Sequence, residues 1–223
     1  MSSDEHDPKR QLSFADVEAE GLADWRLLYS TLHARFKTGD FANGLDLVNR
    51  IGAAAEGANH HPDVDLSYPH VDVRLSSHDV GGVTSRDIDL ARAISGFAAE
   101  LGAEPAPTET TAIELALDTP AHDEIKAFWA AVLGYDTTGL PDEVKDPAGR
   151  RPALWFQEAE GAAGDAQQRF HLDVMVPRDV AEERVAAAID AGGVLVSDES
   201  APSFWVLADA HGNRSCICTS VDR

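Results

Sequence analysis

Between residues 56 and 87 the chain sets three histidines in a fixed frame: Glu56, then Asn59-His60-His61-Pro62, Tyr68, Ser77-His78-Asp79 and Asp87. Imidazole both gives and takes protons near neutral pH, and the chain's two cysteines lie far away at Cys216 and Cys218, so the cluster favours acid/base work. Two other readings stand beside it. One is a metal site, for which adjacent histidines are poor partners around a single tetrahedral ion. The other is a set of surface or core histidines without chemistry. Neighbouring residues of a strand point to opposite faces, so a loop closed by Pro62 is the expected device for aiming both rings into one pocket. Glu56 and Asp87 also have ordinary helical duties: Thr84 with Asp87 three residues later forms a capping-box pattern, which accounts for Asp87 as a cap.

The elements that must position these residues follow from periodicity. Trp25–Tyr29 and Leu32–Phe36 form an expected hairpin, and Phe41, Leu45, Val48 and Ala55 fall at helical spacing. Val71, Val73 and Leu75 alternate with His70, Asp72 and Arg74 as a half-buried strand that leads to His78. Leu90, Ile94, Phe97 and Leu101 share one face of a last helix, which stops at Gly102; Pro105 and Pro107 then forbid its resumption. Residues 102–109 are therefore read as a linker. Beyond it the order strand, helix, strand, strand, strand occurs twice, around helices at 125–133 and 180–191, which indicates an internal duplication. The predicted class is α+β: an antiparallel sheet with helices on one face over 10–101, then paired βαβββ modules over 110–223.

The 223 residues, 43% of them hydrophobic, suit a globular chain without an apolar run long enough to cross a bilayer. Residues 1–9 are polar, lack the apolar stretch of a secretory signal, and are expected to be a disordered tail. A net charge of −21 opposes binding to a nucleic-acid backbone. Cys216 and Cys218 are too few and too close for a disulfide framework and are read as a buried reduced pair, which points to the cytoplasm.

With these residues in view, the first domain resembles the pterin-4a-carbinolamine dehydratase (4a-hydroxytetrahydrobiopterin dehydratase) family. Glu56, His60-His61-Pro62, Tyr68, His78 and Asp87 match its signature, supported by Asp24-Trp25, Asp40-Phe41 and the run Ser77 to Thr84. Ser77 stands where the family often has threonine and keeps the hydroxyl. The resemblance implies that His60 and His78 transfer protons and that His61 chiefly binds a pterin. Glu56, Ser77, Asp79 and Asp87 are candidates for orienting imidazoles or contacting that substrate. It implies no cofactor for the dehydration, assembly into a homo-oligomer, and a functional link to an aromatic amino-acid hydroxylase.

The second domain is similar to the vicinal oxygen chelate superfamily, particularly its small glyoxalase-like bacterial members. The resemblance rests on Phe128-Trp129 to Gly134-Tyr135, on Phe170-His171-Leu172-Asp173, and on the turn Asp209-Ala210-His211-Gly212-Asn213. In metal-binding members the modules form a cup that holds an ion through His, Gln or Glu. Here the candidate pocket residues are Glu114, Gln157, His171 and Arg214, and Arg214 replaces a common glutamate. A cation there should weaken a divalent site. A metal centre, a metal-free ligand cup and a dimerising domain all remain open. Two rivals to a dehydratase stand as well: a chelate-superfamily lyase or dioxygenase with an accessory first domain, and a non-enzymatic interaction protein.

Overall fold

The computed structural model describes residues 7–158, 171–176, 180–219 and 221. The chain divides into two compact units, residues 1–112 and 113–223. Of the tail expected at 1–9, residues 1–6 lie outside the described residues. Residues 7–9 form a turn in which Asp7 accepts the Lys9 amide and Lys9 reaches Asp79 at 3.2 Å.

The first unit runs α1 (Phe14–Ala19), β1 (Arg26–Leu28), β2 (Thr31–Lys37), α2 (Phe41–Ala58), β3 (Asp63–Ser67), β4 (His70–Leu75), α3 (Ser85–Glu100) and β5 (Glu104–Pro105). Its antiparallel sheet has the order β1-β2-β4-β3, with β5 also paired to β2. Alternation decides the faces. Leu32, Ala34 and Phe36 of β2 and Val71, Val73 and Leu75 of β4 are buried, while Arg35 and Asp72 join across the opposite face through two contacts of 2.7 Å. Helices α2 and α3 bury Leu47, Ile51 and Ala55, and Ile88, Ala91 and Ile94, in the same core. At Gly44 the helix comes so near that an added Cβ would stand 2.7 Å from Leu66 Cδ1. The Asp40 side chain caps α2 by accepting the Asn43 amide.

One strand escaped the periodicity reading, and one segment was misplaced by it. Strand β3 shows no clear apolar run because Asp63 and Asp65 occupy two of its five positions, yet β4 supplies a full partner edge. The segment 102–109, read as a linker, belongs to the first unit. Glu104 and Pro105 pair with Lys37 and Phe36, the Ala106 amide donates to Arg35 O at 2.8 Å, and Lys37 pairs with Glu109. Proline ends the helix but is compatible with an edge strand, where the missing N–H costs no ladder bond.

The second unit runs β6 (Leu115–Thr119), α4 (His122–Leu133), β7 (Glu143–Val144), β8 (Leu154–Glu158), β9 (Leu172–Met175), α5 (Ala181–Asp190), β10 (Val194–Ser197), β11 (Phe204–Ala208) and β12 (Arg214–Cys218). Its sheets have the orders β6-β8-β7 and β10-β11-β12-β9. In each, the strand before the helix pairs in parallel with a later strand of its own module, β6 with β8 and β9 with β12. That shared pairing is the structural form of the duplication. The second module has all four strands; the first shows three among the described residues. Ile125, Phe128, Trp129, Val185, Leu207 and Ile217 join both modules in one core. Phe170 of the expected strand at 170–176 lies outside the described residues.

Candidate functional site

Helix α2 ends in a way that separates His60 from His61. Asn59 takes the left-handed conformation (φ 48°), and the His60 amide donates back to Ala55 O at 3.1 Å. The His60 ring turns inward and is only 7% exposed. The His61 ring stays exposed, with Nε2 3.1 Å from Glu56 Oε1 one helical turn earlier. The Pro62 loop therefore does not send both rings into one buried pocket, and each imidazole has its own carboxylate.

The partner of His60 is Asp87, which is fully buried at the third position of α3. Asp87 Oδ1 lies 2.7 Å from His60 Nε2. Its Oδ2 accepts the Ser77 hydroxyl at 2.7 Å and the Thr84 amide at 2.8 Å. The capping box read from sequence is present, so the same carboxylate caps α3 and orients an imidazole. A carboxylate oxygen accepts, so Nε2 carries the hydrogen of that contact and Nδ1 is the nitrogen through which His60 can exchange a proton. Burial of an acceptor with three donors around it fixes the ring.

His78 follows the residue that is tied to the same carboxylate. Ser77 pairs with Gly82 across a tight turn, its amide donating to Gly82 O at 2.8 Å, while Gly81 takes φ +69°. The Ser77 side chain, 1% exposed, is tied to Asp87, and His78 is exposed beside it. Asp87 thus links the segments that carry both proton-transfer candidates. Asp79 faces elsewhere: Arg86 Nη2 at 2.6 Å, followed by Lys9, holds its carboxyl down to about 2, so its contacts are with cations and not with the histidines. Thr84, with its side chain on Asp87 and Ser77, is a participant that sequence reading used only as a cap.

In the second unit the four pocket candidates do not gather as expected. Glu114 lies exposed just before β6, and Gln157 is exposed on β8, its amide donating to Glu158 O at 3.3 Å. His171 and Arg214 belong to the other sheet's strands or their ends; His171 Nε2 is 3.3 Å from Asp173 Oδ1, and Arg214 is exposed at the start of β12. The mixed donor group that converges among the described residues is His171, Asp173 and Cys216. Asp173 and Cys216 were missed because a carboxylate two residues after a histidine and a cysteine on a distant strand meet only through β9–β12 register. The turn 209–213 is a structural pin: Asp209 accepts Trp129 Nε1, both amides of His211 and Asn213, and the Asn213 side chain. His211, 5% exposed, is bracketed by Thr119 and Glu124, each at 3.1 Å.

Comparisons with known proteins agree with this division. A family model described as "Pterin 4 alpha carbinolamine dehydratase" matches residues 10–97, and one described as "Glyoxalase-like domain" matches residues 114–218. A Thermosynechococcus vestitus protein named "Putative pterin-4-alpha-carbinolamine dehydratase" is 44% identical over 90 residues, spanning 40% of this chain and 95% of the relative. An Aquifex aeolicus protein of the same name is 36% identical over 94 residues, 41% of this chain and 95% of its own. Among solved structures, a "transcriptional coactivator/pterin dehydratase" from Brucella melitensis is 28% identical, with a TM-score of 0.38, over 40% of this chain and 99% of that one. A "glyoxalase/bleomycin resistance protein/dioxygenase family enzyme" from Burkholderia phytofirmans is 18% identical, with a TM-score of 0.36, over 48% and 95%. The chain belongs, through residues 10–97, to the pterin 4 alpha carbinolamine dehydratase family, and it carries a glyoxalase-like domain at residues 114–218.

Proposed function

We propose that the first unit removes water from a pterin 4a-carbinolamine to give the quinonoid dihydropterin. The step breaks the C4a–OH bond, removes the proton on N5 and forms the C4a=N5 double bond; the hydroxyl leaves as water once it has received a proton. One group must give a proton and one must take it. His60, working at Nδ1, and His78 supply that pair, and His61 with Glu56 offers an exposed binding edge for the heterocycle. The observation that carries the proposal is the buried Asp87, which holds His60 at 2.7 Å and anchors Ser77, the residue beside His78, at 2.7 Å. Capping α3 uses only Oδ2, so the contact of Oδ1 with the His60 ring is an arrangement beyond what the cap requires.

The chemistry as written draws on no cofactor, and positioned acid/base groups are worth roughly 10²–10⁴ in rate each. The test is the dehydration of a 4a-hydroxytetrahydropterin followed by the absorbance of its quinonoid product. The intact chain is expected to accelerate it, with His60→Ala and His78→Ala each lowering kcat at least tenfold and His61→Ala acting mainly on KM. Absence of acceleration by the folded wild-type chain would overturn the proposal.

A further inference from the structure

The second unit brings an imidazole, a carboxylate and a thiol together on one face of its four-stranded sheet. The Nδ1 or Nε2 of His171, a carboxylate oxygen of Asp173 and the Sγ of Cys216 all lie within 4.8 Å of one another. Register explains the convergence: Asp173 is directly opposite Cys216 in the parallel β9–β12 pair, and His171 precedes Asp173 by two residues. Alternation puts Leu172, Val174 and Ile217 on the other face, where they pack in the core. Cys216 is 7% exposed and His171 and Asp173 are exposed, so a shielded thiol stands behind two accessible donors.

The geometry points to a site for a borderline divalent transition metal, of the Zn²⁺ or Co²⁺ class, held by His171, Asp173 and Cys216 with one position left for an external ligand. In a tetrahedral site with metal–sulfur near 2.3 Å and metal–nitrogen or –oxygen near 2.0 Å, donor atoms stand roughly 3.3–3.6 Å apart. The donors, which lie within 4.8 Å of one another, must close by at most about 1.5 Å to reach that separation. Sulfur with nitrogen and oxygen selects a borderline ion over Mg²⁺ or Ca²⁺, which take oxygen ligands. Three protein ligands with an open position is the pattern of a reactive centre rather than a closed structural one.

The set departs from the His, Gln or Glu arrangement implied by the superfamily resemblance. Glu114 and Gln157 lie at the other sheet, and a thiolate takes the place of a second imidazole or amide. Arg214 is two residues before Cys216 and so on the same side of β12, where one positive charge offsets only part of the charge a carboxylate and a thiolate bring. The sequence expectation that Arg214 opposes a divalent ion considered a site without Cys216; thiolate and carboxylate together bring more negative charge than one arginine removes.

The full-length protein, stripped with a chelator and dialysed, is titrated with Co²⁺ alone. One equivalent is expected, with visible bands of tetrahedral Co²⁺ and a near-ultraviolet thiolate-to-cobalt charge-transfer band. Cys216→Ser should abolish the charge-transfer band, His171→Ala and Asp173→Asn should weaken binding at least tenfold, and Cys218→Ser should leave both signals. His171 and Asp173 are exposed, so their variants keep the test decisive if Cys216→Ser fails to fold. No charge-transfer band in the wild type, its persistence in Cys216→Ser, or undiminished affinity in both His171→Ala and Asp173→Asn would overturn the site.

Discussion

Replacing Asp87 by asparagine separates what this residue does for the fold from what it does for chemistry. Asparagine keeps the shape, and its one carbonyl oxygen can still accept the Ser77 hydroxyl and the Thr84 amide, now at 2.7 and 2.8 Å on Oδ2. Its NH2 must then face His60 Nε2, where Oδ1 now lies at 2.7 Å. Two donors cannot share that contact, so the His60 proton moves to Nδ1 and the nitrogen free to accept a proton is lost. The support for a charged imidazolium disappears as well. All three contacts can re-form, but without the carboxylate's charge and with a forced tautomer, so the stability cost is about 1–2 kcal/mol. In a unit of this size that corresponds to a fall in Tm of roughly 4–16 °C. The rate should fall by roughly 10²–10⁴, as when a general base is held in the wrong tautomer. Asp87→Ala should cost about 3–5 kcal/mol and lose both properties, because it strands three buried donors. Stopped-flow dehydration, read beside thermal unfolding, checks each arm. A folded Asp87→Asn variant with wild-type kcat would refute the positioning of His60 by Asp87.

Three further outcomes follow from particular contacts. Burial, then the nearby Arg74, lowers the His33 pKa below its usual 6.5, with Asp72 opposing; the unfolded chain takes up this proton first, so stability is full above about 6.5 and falls as pH drops from there to the folded value. His33→Gln should flatten that stretch of the stability–pH curve in chemical denaturation, and an unchanged slope would contradict it. In the second unit Asp146 is held well below the usual carboxylate range by Arg151, and it also accepts the amides of Ala148, Arg150 and Arg151; Asp146→Ala should destabilise the unit by about 2–4 kcal/mol in urea unfolding. A fragment ending at Glu104 cuts through β5 and removes the Ala106–Arg35 and Lys37–Glu109 contacts. It should melt several degrees below a fragment ending at Ala112, and equal melting temperatures would show that the segment adds nothing.

What could be read in the sequence was what periodicity and local spacing encode. The alternation of Val71, Val73 and Leu75 with His70, Asp72 and Arg74 is the alternation of faces in β4, and the Thr84–Asp87 spacing is the observed capping box. What escaped it depends on partners distant in the chain. Asp63 and Asp65 mask β3 until β4 is seen beside it, and the two prolines after Gly102 hide a two-residue strand whose ladder belongs to β2. In the site, the histidines were visible, but their separation was not: it is set by the left-handed turn at Asn59, a single dihedral choice that sends His60 inward and leaves His61 outside. Asp87 carries two duties because α3 begins where its cap faces the end of α2. His171, Asp173 and Cys216 converge through strand register, which no short motif records.

The measurement that bears most directly on the central claim is the dehydration rate of the His60→Ala/His78→Ala double variant of the full chain, with folding checked by circular dichroism. If these two imidazoles carry the proton transfers, the folded double variant converts a 4a-hydroxytetrahydropterin at the uncatalysed rate while the wild type accelerates it strongly. A folded double variant that retains the wild-type acceleration would contradict the account.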